Sequence, residues 1–369
     1  MPSSVTIANP RQMKRDTLHE PDQLRLFVPD ISEDRIEQAT VVAESFEFRL
    51  PAFYAERVLS GLPEDPLLDL VLPSEDELLD GPEEWDAADH EYRVSASPFW
   101  VQKYQYEGLL RLTTHCSGFC RFCYLKRKNT RKRAMRPEDV DAVFDDLGRS
   151  GEQLHDIILS GGDPLCATPQ TLARVGERVR RLRRDRGTAT PFITVHTREP
   201  IWNPEGVLGN DRLWAGLEEL SPTFYMVHVI HEREVTSEFL QVCDRLGRAA
   251  SPRKQAVLFC QHPVFRGVND SAEMLESLYG ALLAGPTPII PYYMVFPFFN
   301  GTLPKHRVSL EHVQAVYREL VRRPGMFAPT LVVPTPRGKC VVGPNEPIIV
   351  ENNAYRLITK NGEVVWLPK

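Results

Sequence analysis

From Leu109 onward, six short apolar runs alternate with segments of helical periodicity, and this alternation limits the fold more than any other feature. The runs are Leu109–Thr113, Ile157–Leu159, Phe192–His196, Phe224–Ile230, Ala256–Cys260 and Ile289–Phe296. They are apolar and β-branched, as strands covered on both faces must be. Helices follow them, one opening at Pro137 and the others near Thr168–Leu182, Asp211–Leu220, Ser237–Gly247, Ala272–Leu283 and Leu310–Arg322. Repeated strand–helix units build a parallel sheet with right-handed crossovers. Six units predict a partial (β/α)6 barrel, with chemistry gathered at the C-terminal strand ends.

Three motifs fall at those ends. After the first strand, Cys116, Cys120 and Cys123 share the loop Thr114-His115-Cys116-Ser117-Gly118-Phe119-Cys120-Arg121-Phe122-Cys123-Tyr124. Clustered thiolates bind soft metals. Three cysteines on a [4Fe–4S] cluster leave one iron open to a small molecule. A zinc knuckle with His115 as fourth ligand, or three core thiols, are the plainer readings. After the second strand comes Ser160-Gly161-Gly162-Asp163-Pro164-Leu165, where two glycines allow close backbone approach and could present N–H groups to an anion. After the third comes His196-Thr197-Arg198-Glu199-Pro200.

Composition bounds the partners. With 42% hydrophobic and 25% charged residues, the 369-residue chain reads as an ordinary soluble globular protein. A net charge of −6 argues against a nucleic-acid partner. No apolar run reaches membrane-span length, and no signal-peptide pattern is visible, so no membrane partner is expected. Seven cysteines, three of them clustered, suit reduced thiols in the cytoplasm. Of the others, Cys243 shares a helical stripe with Phe239, Val242 and Leu246 and is expected in the core. The basic run Lys126-Arg127-Lys128, continued by Arg131, Lys132, Arg133 and Arg136, is either a solvated loop or a face toward anionic groups.

Texture divides the chain into three. Residues 1–105 form an N-terminal, mainly helical region and linker, with helical patches at Glu33–Glu44 and Leu67–Leu72 and no visible chemistry. Residues 106–325 hold the barrel. Residues 326–369 hold a strand at Thr330–Val333, a rigid exposed loop over Pro334–Lys339, and two last strands near Ile348–Glu351 and Glu363–Leu367.

The C-x3-C-x2-C spacing, with an aromatic residue before the third cysteine, resembles the radical S-adenosylmethionine (SAM) enzymes. A longer series of matches runs from about residue 48 to residue 369. It takes in Cys116-Ser117 with Cys120-Arg121 and Cys123, the Ser160–Leu165 segment, Thr197-Arg198 with Pro200, and His228, His231 and Glu234-Val235-Thr236. It continues through Gln261, Arg266-Gly267-Val268-Asn269-Asp270, Pro291-Tyr292-Tyr293, Pro329-Thr330 with Val332-Val333, and Gly338-Lys339. In this the chain is similar to the lysine 2,3-aminomutase family of radical SAM, pyridoxal phosphate (PLP)-dependent enzymes.

The resemblance implies a [4Fe–4S] cluster on Cys116, Cys120 and Cys123, with SAM on the open iron. It implies SAM contacts from Gly161, Gly162 and Asp163, and from His228 and Gln261. Lys103 and Tyr104 match a pair at the PLP phosphate and ring, and Lys339 matches the lysine that carries PLP and exchanges it with a substrate amine. His231 and Glu234 match too, with structural roles equally open. The implied activity is a 2,3-aminomutase, an isomerase that moves an amino group from the α to the β carbon. Its implied partners are a small amino acid, a reducing donor such as flavodoxin or ferredoxin, and further copies of itself. A PLP-independent radical SAM epimerase or dehydrogenase on an amine or sugar is the alternative. A non-catalytic iron–sulfur or zinc protein is the third reading.

Three departures from the family pattern bear on substrate. The arginine expected two residues after the third cysteine, which pairs with the substrate carboxylate, is Leu125; either Lys126 or Arg127 substitutes for it, or the substrate sits differently. The two aspartates that hold the far ammonium of lysine fall at Phe298 and Pro334. Burying a cationic side chain without them is costly. With Phe296 and Phe299 alongside, an apolar or aromatic-tolerant pocket and a substrate other than lysine are expected. The zinc cysteines of some members are absent, Ser271 standing at one position, so no structural zinc is expected.

Overall fold

The computed structural model describes residues 17–79, 95–127, 133–151, 153–248, 255–297 and 303–369. Nine strands form one sheet. In chain order they are β1 (Trp100–Tyr104), β2 (Glu107–Thr113), β3 (Asp156–Gly161), β4 (Phe192–Thr197), β5 (Phe224–Val227), β6 (Val257–Pro263), β7 (Ile289–Val295), β8 (Thr330–Thr335) and β9 (Gly338–Val341). Their spatial order follows the chain without a swap. Strands β2 to β8 are parallel, and β1 and β9 close the two ends antiparallel. The sheet therefore runs across both texture changes, taking in β1 near residue 105 and β8–β9 beyond residue 326.

The connecting helices are α3 (Pro137–Ser150), α4 (Pro169–Arg186), α5 (Asp211–Leu220), α6 (Ser237–Arg248), α7 (Ala272–Leu283) and α8 (Leu310–Leu320). Ends follow local chemistry. The Thr168 side chain accepts from Thr171 N–H to start α4, and Ser271 does the same for α7 through Met274 N–H. Helices α3 and α4 both end on a glycine at positive φ, Gly151 and Gly187. The core lies between helices and sheet: Leu110, Leu112, Ile157, Leu159 and Val195 are essentially inaccessible to water. The opposite residues of β2, namely Glu107, Leu109 and Arg111, face the barrel interior.

Two regions differ from expectation. Pro334–Lys339 is no exposed loop: Thr335 pairs with Gly338, only Pro336 and Arg337 make the turn, and Pro334, Thr335 and Gly338 are buried. A Pro- and Gly-rich stretch looks like a loop, but proline is admissible where a strand nears its end. The C-terminus holds three strands rather than two, β10 (Ile349–Glu351), β11 (Ala354–Ile358) and β12 (Val364–Pro368). The middle one was missed because Arg356 interrupts its apolar residues.

The N-terminal region carries α1 (Glu33–Ala43), α2 (Ala52–Arg57) and a short ladder between Thr17–Leu18 and Leu50–Pro51. The patch at Leu67–Leu72 is a single 3-10 turn over Leu68–Leu70. This region lies against the mouth of the barrel. Tyr54 donates to Glu234 at 2.9 Å, and Arg233 meets Asp65 at 2.5 Å. Among the described residues no helix is long and apolar enough to cross a membrane.

Candidate active site

The cysteine loop leaves β2 and is bound on its outer side by the N-terminal region. Phe119 N–H donates to Arg49 O at 2.8 Å, and Arg121 N–H to Leu70 O at 3.0 Å. The Arg49 guanidinium reaches the Cys116 carbonyl and lies 2.7 Å from His115 Nδ1. That contact occupies the ring of the one histidine considered as a fourth zinc ligand. Beneath the loop, the fully buried Arg121 meets Glu77 at 2.8 Å, and Lys126 meets the same carboxylate at 3.0 Å. On the barrel side, Glu199 accepts from Ser117 N–H at 2.7 Å and from its hydroxyl at 2.6 Å. The N-terminal region, which showed no chemistry in sequence, thus supplies the frame for the cysteine loop.

All seven cysteines are thiols. Burial pushes Cys116 well up, Cys120 up to about 12 against the pull of Arg198, and Cys123 up. Buried thiols of this kind become good ligands when a metal displaces their protons. Among the described residues, no three His, Cys, Asp or Glu side chains converge as one metal ion requires. A four-iron cluster takes its cysteines on separate irons. Three thiols in one loop, with Arg198 beside Cys120, fit a net-negative cluster.

The glycine segment touches this loop backbone to backbone. A Cβ on Gly162 would come within 2.3 Å of His115 O, and one on Gly161, at φ +108, within 2.7 Å of Thr113 O. Gly162 N–H donates to Thr113 O at 2.5 Å and Asp163 N–H to His115 O at 2.8 Å. These N–H groups are therefore not an anion nest. Asp163 uses its carboxylate internally, accepting from Thr197 Oγ1 at 2.8 Å, Leu165 N–H at 3.0 Å and Arg198 N–H at 2.6 Å. Burial and the nearby Glu199 carboxylate push it up to about 7, against those donors. Its side chain shapes the segment.

The barrel encloses a cavity of about 240 Å3 lined by Lys103, Tyr104, Arg111, His196, His228, Gln261 and Lys339, among others. Gln261 Nε2 lies 3.0 Å from His228 Nε2, and His228 lies 3.4 Å from His196 Nδ1. Burial holds both rings neutral, lowering His228 to about 3 and His196 well below its usual range. At the other end, Lys339 N–H donates to the Tyr104 hydroxyl at 2.7 Å, joining the two end strands. Gly338, at φ +123, lies against that ring; a Cβ there would come within 3.2 Å of the hydroxyl. Lys339 Nζ is 4.8 Å from the Tyr293 ring centroid. Burial lowers its pKa, with Glu107 pulling the other way. A neutral amine is the form that attacks an aldehyde. Buried amine, Lys103 and a phenol ring in one cavity fit a phosphorylated pyridine aldehyde.

His231 caps a turn through Arg233 N–H, and Glu234 is buried against Arg198 at 2.5 Å and Ile230 N–H at 2.7 Å; both are structural here. Lys126 and Arg127 do not replace the missing arginine. Lys126 is held by Glu77, Arg127 donates to Glu77 O at 2.8 Å, and Leu125 is buried. Lys128, Arg131 and Lys132 of the basic run, and Phe298 and Phe299, lie outside the described residues. Pro334 does line the cavity, and Phe296 is buried. Sequence reasoning missed Glu77, Arg49 and Arg111. Only the last left a signal, as a lone charge within an apolar strand.

A model of the Radical SAM superfamily matches residues 110–278, the span from β2 to α7. A putative L-lysine 2,3-aminomutase of Aquifex aeolicus is 28% identical over 328 residues, covering 87% of this chain and 84% of that protein. L-lysine 2,3-aminomutase of Clostridium subterminale is 24% identical, covering 96% and 82%. That of Escherichia coli K12 is 27% identical, covering 83% and 85%. The superfamily match brings a [4Fe–4S] cluster and SAM, a small-molecule substrate and a source of electrons. Over most of its length the chain is thus similar to L-lysine 2,3-aminomutases, and over residues 110–278 to the Radical SAM superfamily, which indicates a radical SAM enzyme of the aminomutase (isomerase) kind.

Proposed function

We propose that the chain is a PLP-dependent amino-acid 2,3-aminomutase acting on an amino acid without a cationic side chain. One observation carries this: a half-buried lysine, Lys339, whose amine is desolvated, shares the barrel cavity with Lys103 and Tyr104. In this reading Cys116, Cys120 and Cys123 hold the cluster. Gly161 and Gly162 offer carbonyls to the SAM ammonium, with Asp163 holding their turn, and the neutral pair His228 and Gln261 contacts SAM from across the barrel. Lys103 meets the PLP phosphate as a point charge, and Tyr104 flanks the ring. When bound, the cluster and SAM supply a hydrogen-abstracting radical, and PLP supplies the π-system through which nitrogen moves. The protein's own part is position: strand-borne side chains fix both cofactors in the barrel cavity. Pro334, which stands at one of the two positions where a carboxylate would hold a distant ammonium and lines the cavity, favours an uncharged side chain. The three segments 1–105, 106–325 and 326–369 then divide the work into loop frame, radical barrel and PLP lysine. Flavodoxin or ferredoxin is the proposed electron donor, in a cytoplasmic homo-oligomer.

The test is borohydride reduction after anaerobic cluster reconstitution with PLP, with mass mapping. A phosphopyridoxyl adduct on Lys339, absent in Lys339→Ala while SAM cleavage persists, is expected. SAM cleavage without any adduct would favour the PLP-independent epimerase or dehydrogenase. Robust conversion of L-lysine would sink the substrate claim alone.

A further inference from the structure

We propose that Arg111 anchors the substrate carboxylate, a task that Leu125 cannot perform. The inference rests on the amino-acid reading above. A carboxylate held in the barrel cavity needs charge-assisted hydrogen bonds. The cations nearest in sequence to Leu125 are unsuitable, because Lys126 and Arg127 are engaged by Glu77 outside the barrel. Arg198 is committed to Glu234 at 2.5 Å. His196 and His228 are neutral by burial. Among the described residues lining the cavity, the remaining cations are Lys103, Arg111 and Lys339. Two of these belong to PLP.

Position favours the third. Strand β2 runs from Glu107, whose carboxylate acts on Lys339, to Thr113, where the cysteine loop begins. Arg111 lies on the same inward face as Glu107 and Leu109, between the two ends. It pairs in register with Ser160, and a Cβ on Gly161 would come within 3.1 Å of its own Cβ. The glycine segment therefore makes room for this side chain. A guanidinium offers five donors in a planar fork, enough to serve protein acceptors and still grip a carboxylate with two.

Two carboxylates enter this cavity, that of the substrate and that of SAM, and the experiment separates them. Calorimetric titration of the PLP-loaded protein would use L-phenylalanine, 2-phenylethylamine and SAM as probes, with wild type, Arg111→Met and Arg111→Lys. Wild type should prefer phenylalanine to the amine. Arg111→Met should weaken phenylalanine about 10- to 100-fold, with the amine and SAM unchanged. Arg111→Lys should recover part of the loss, and it carries the test if Arg111→Met does not fold. Unchanged phenylalanine binding, or a loss that falls on SAM, overturns the proposal. So does a wild type that binds acid and amine equally, prefers the amine or binds neither. Absence of the Lys339 adduct removes the underlying reading instead; an adduct with no Arg111 effect removes only this inference.

Discussion

The two ends of the cavity are built on opposite principles. The cysteine end is over-determined: Arg49, Glu77, Leu70 and Glu199 hold its loop from both sides, two cations share one buried carboxylate, and glycines press it backbone to backbone. At the lysine end, the Lys339 N–H donates to the Tyr104 hydroxyl and ties the two end strands together. The difference matches what each end must do. Ligands to a cluster have to keep their places, whereas a lysine that takes up and releases a cofactor has to let its side chain move. Rigidity is concentrated where a misplaced atom would lose the metal.

That contrast can be broken at either end. Replacing Cys120 with serine should abolish cluster iron and SAM cleavage together, as iron content and 5′-deoxyadenosine formation would report; retained iron would undo the ligand assignment. Glu77→Gln should come next. It leaves Arg121 and Lys126 facing a neutral amide in a site closed to water, and losing a buried partner costs about 3–5 kcal/mol. Thermal melting should fall sharply, with iron retention falling alongside, although Glu77 is not itself proposed to touch the cluster. Tyr104→Phe at the other end should cost only about 1 kcal/mol, one hydrogen bond, with cluster content unchanged. If the two substitutions proved equal, the proposed division between a rigid and a lightly held end would fail.

The smallest effect is on pH dependence. Lys339 has a folded pKa below its ordinary value of 10.5, so the unfolded chain binds the extra proton between the two. Its contribution to stability therefore rises with pH across that window and is lost as pH falls through the folded value. Chemical denaturation of the cofactor-free protein should show this slope, and Lys339→Met should flatten it. An unaltered slope would mean that the amine is not desolvated as described.

Most of the barrel was legible because strand and helix periods differ and each strand is covered on both faces. Asp211–Leu220 and Ala272–Leu283 appear with the bounds their periodicity gave. The cysteines and Lys339 are proposed as site residues from motif and order. What was not legible is what depends on distant partners. Lys126 reads as part of a solvated basic run, yet its side chain is nearly inaccessible because Glu77, 49 residues earlier, closes over it. The hairpin at Pro334–Lys339 reads as a loop because its strand character comes from pairing with itself. Arg111 was passed over because a strand assignment says which residues alternate, and only closure of the barrel says what the inner face encloses.

The backbone at Lys339 has one more consequence. Its N–H is fixed by Tyr104, and its carbonyl accepts from Lys360 N–H at 2.9 Å. The peptide groups on both sides of its Cα are therefore held, and the four-carbon side chain extends from that mount. In mechanical terms this is a swing arm on a fixed pivot. How far a group carried by the lysine can travel is set by the length of that arm, and its arc is set by the strand that mounts it.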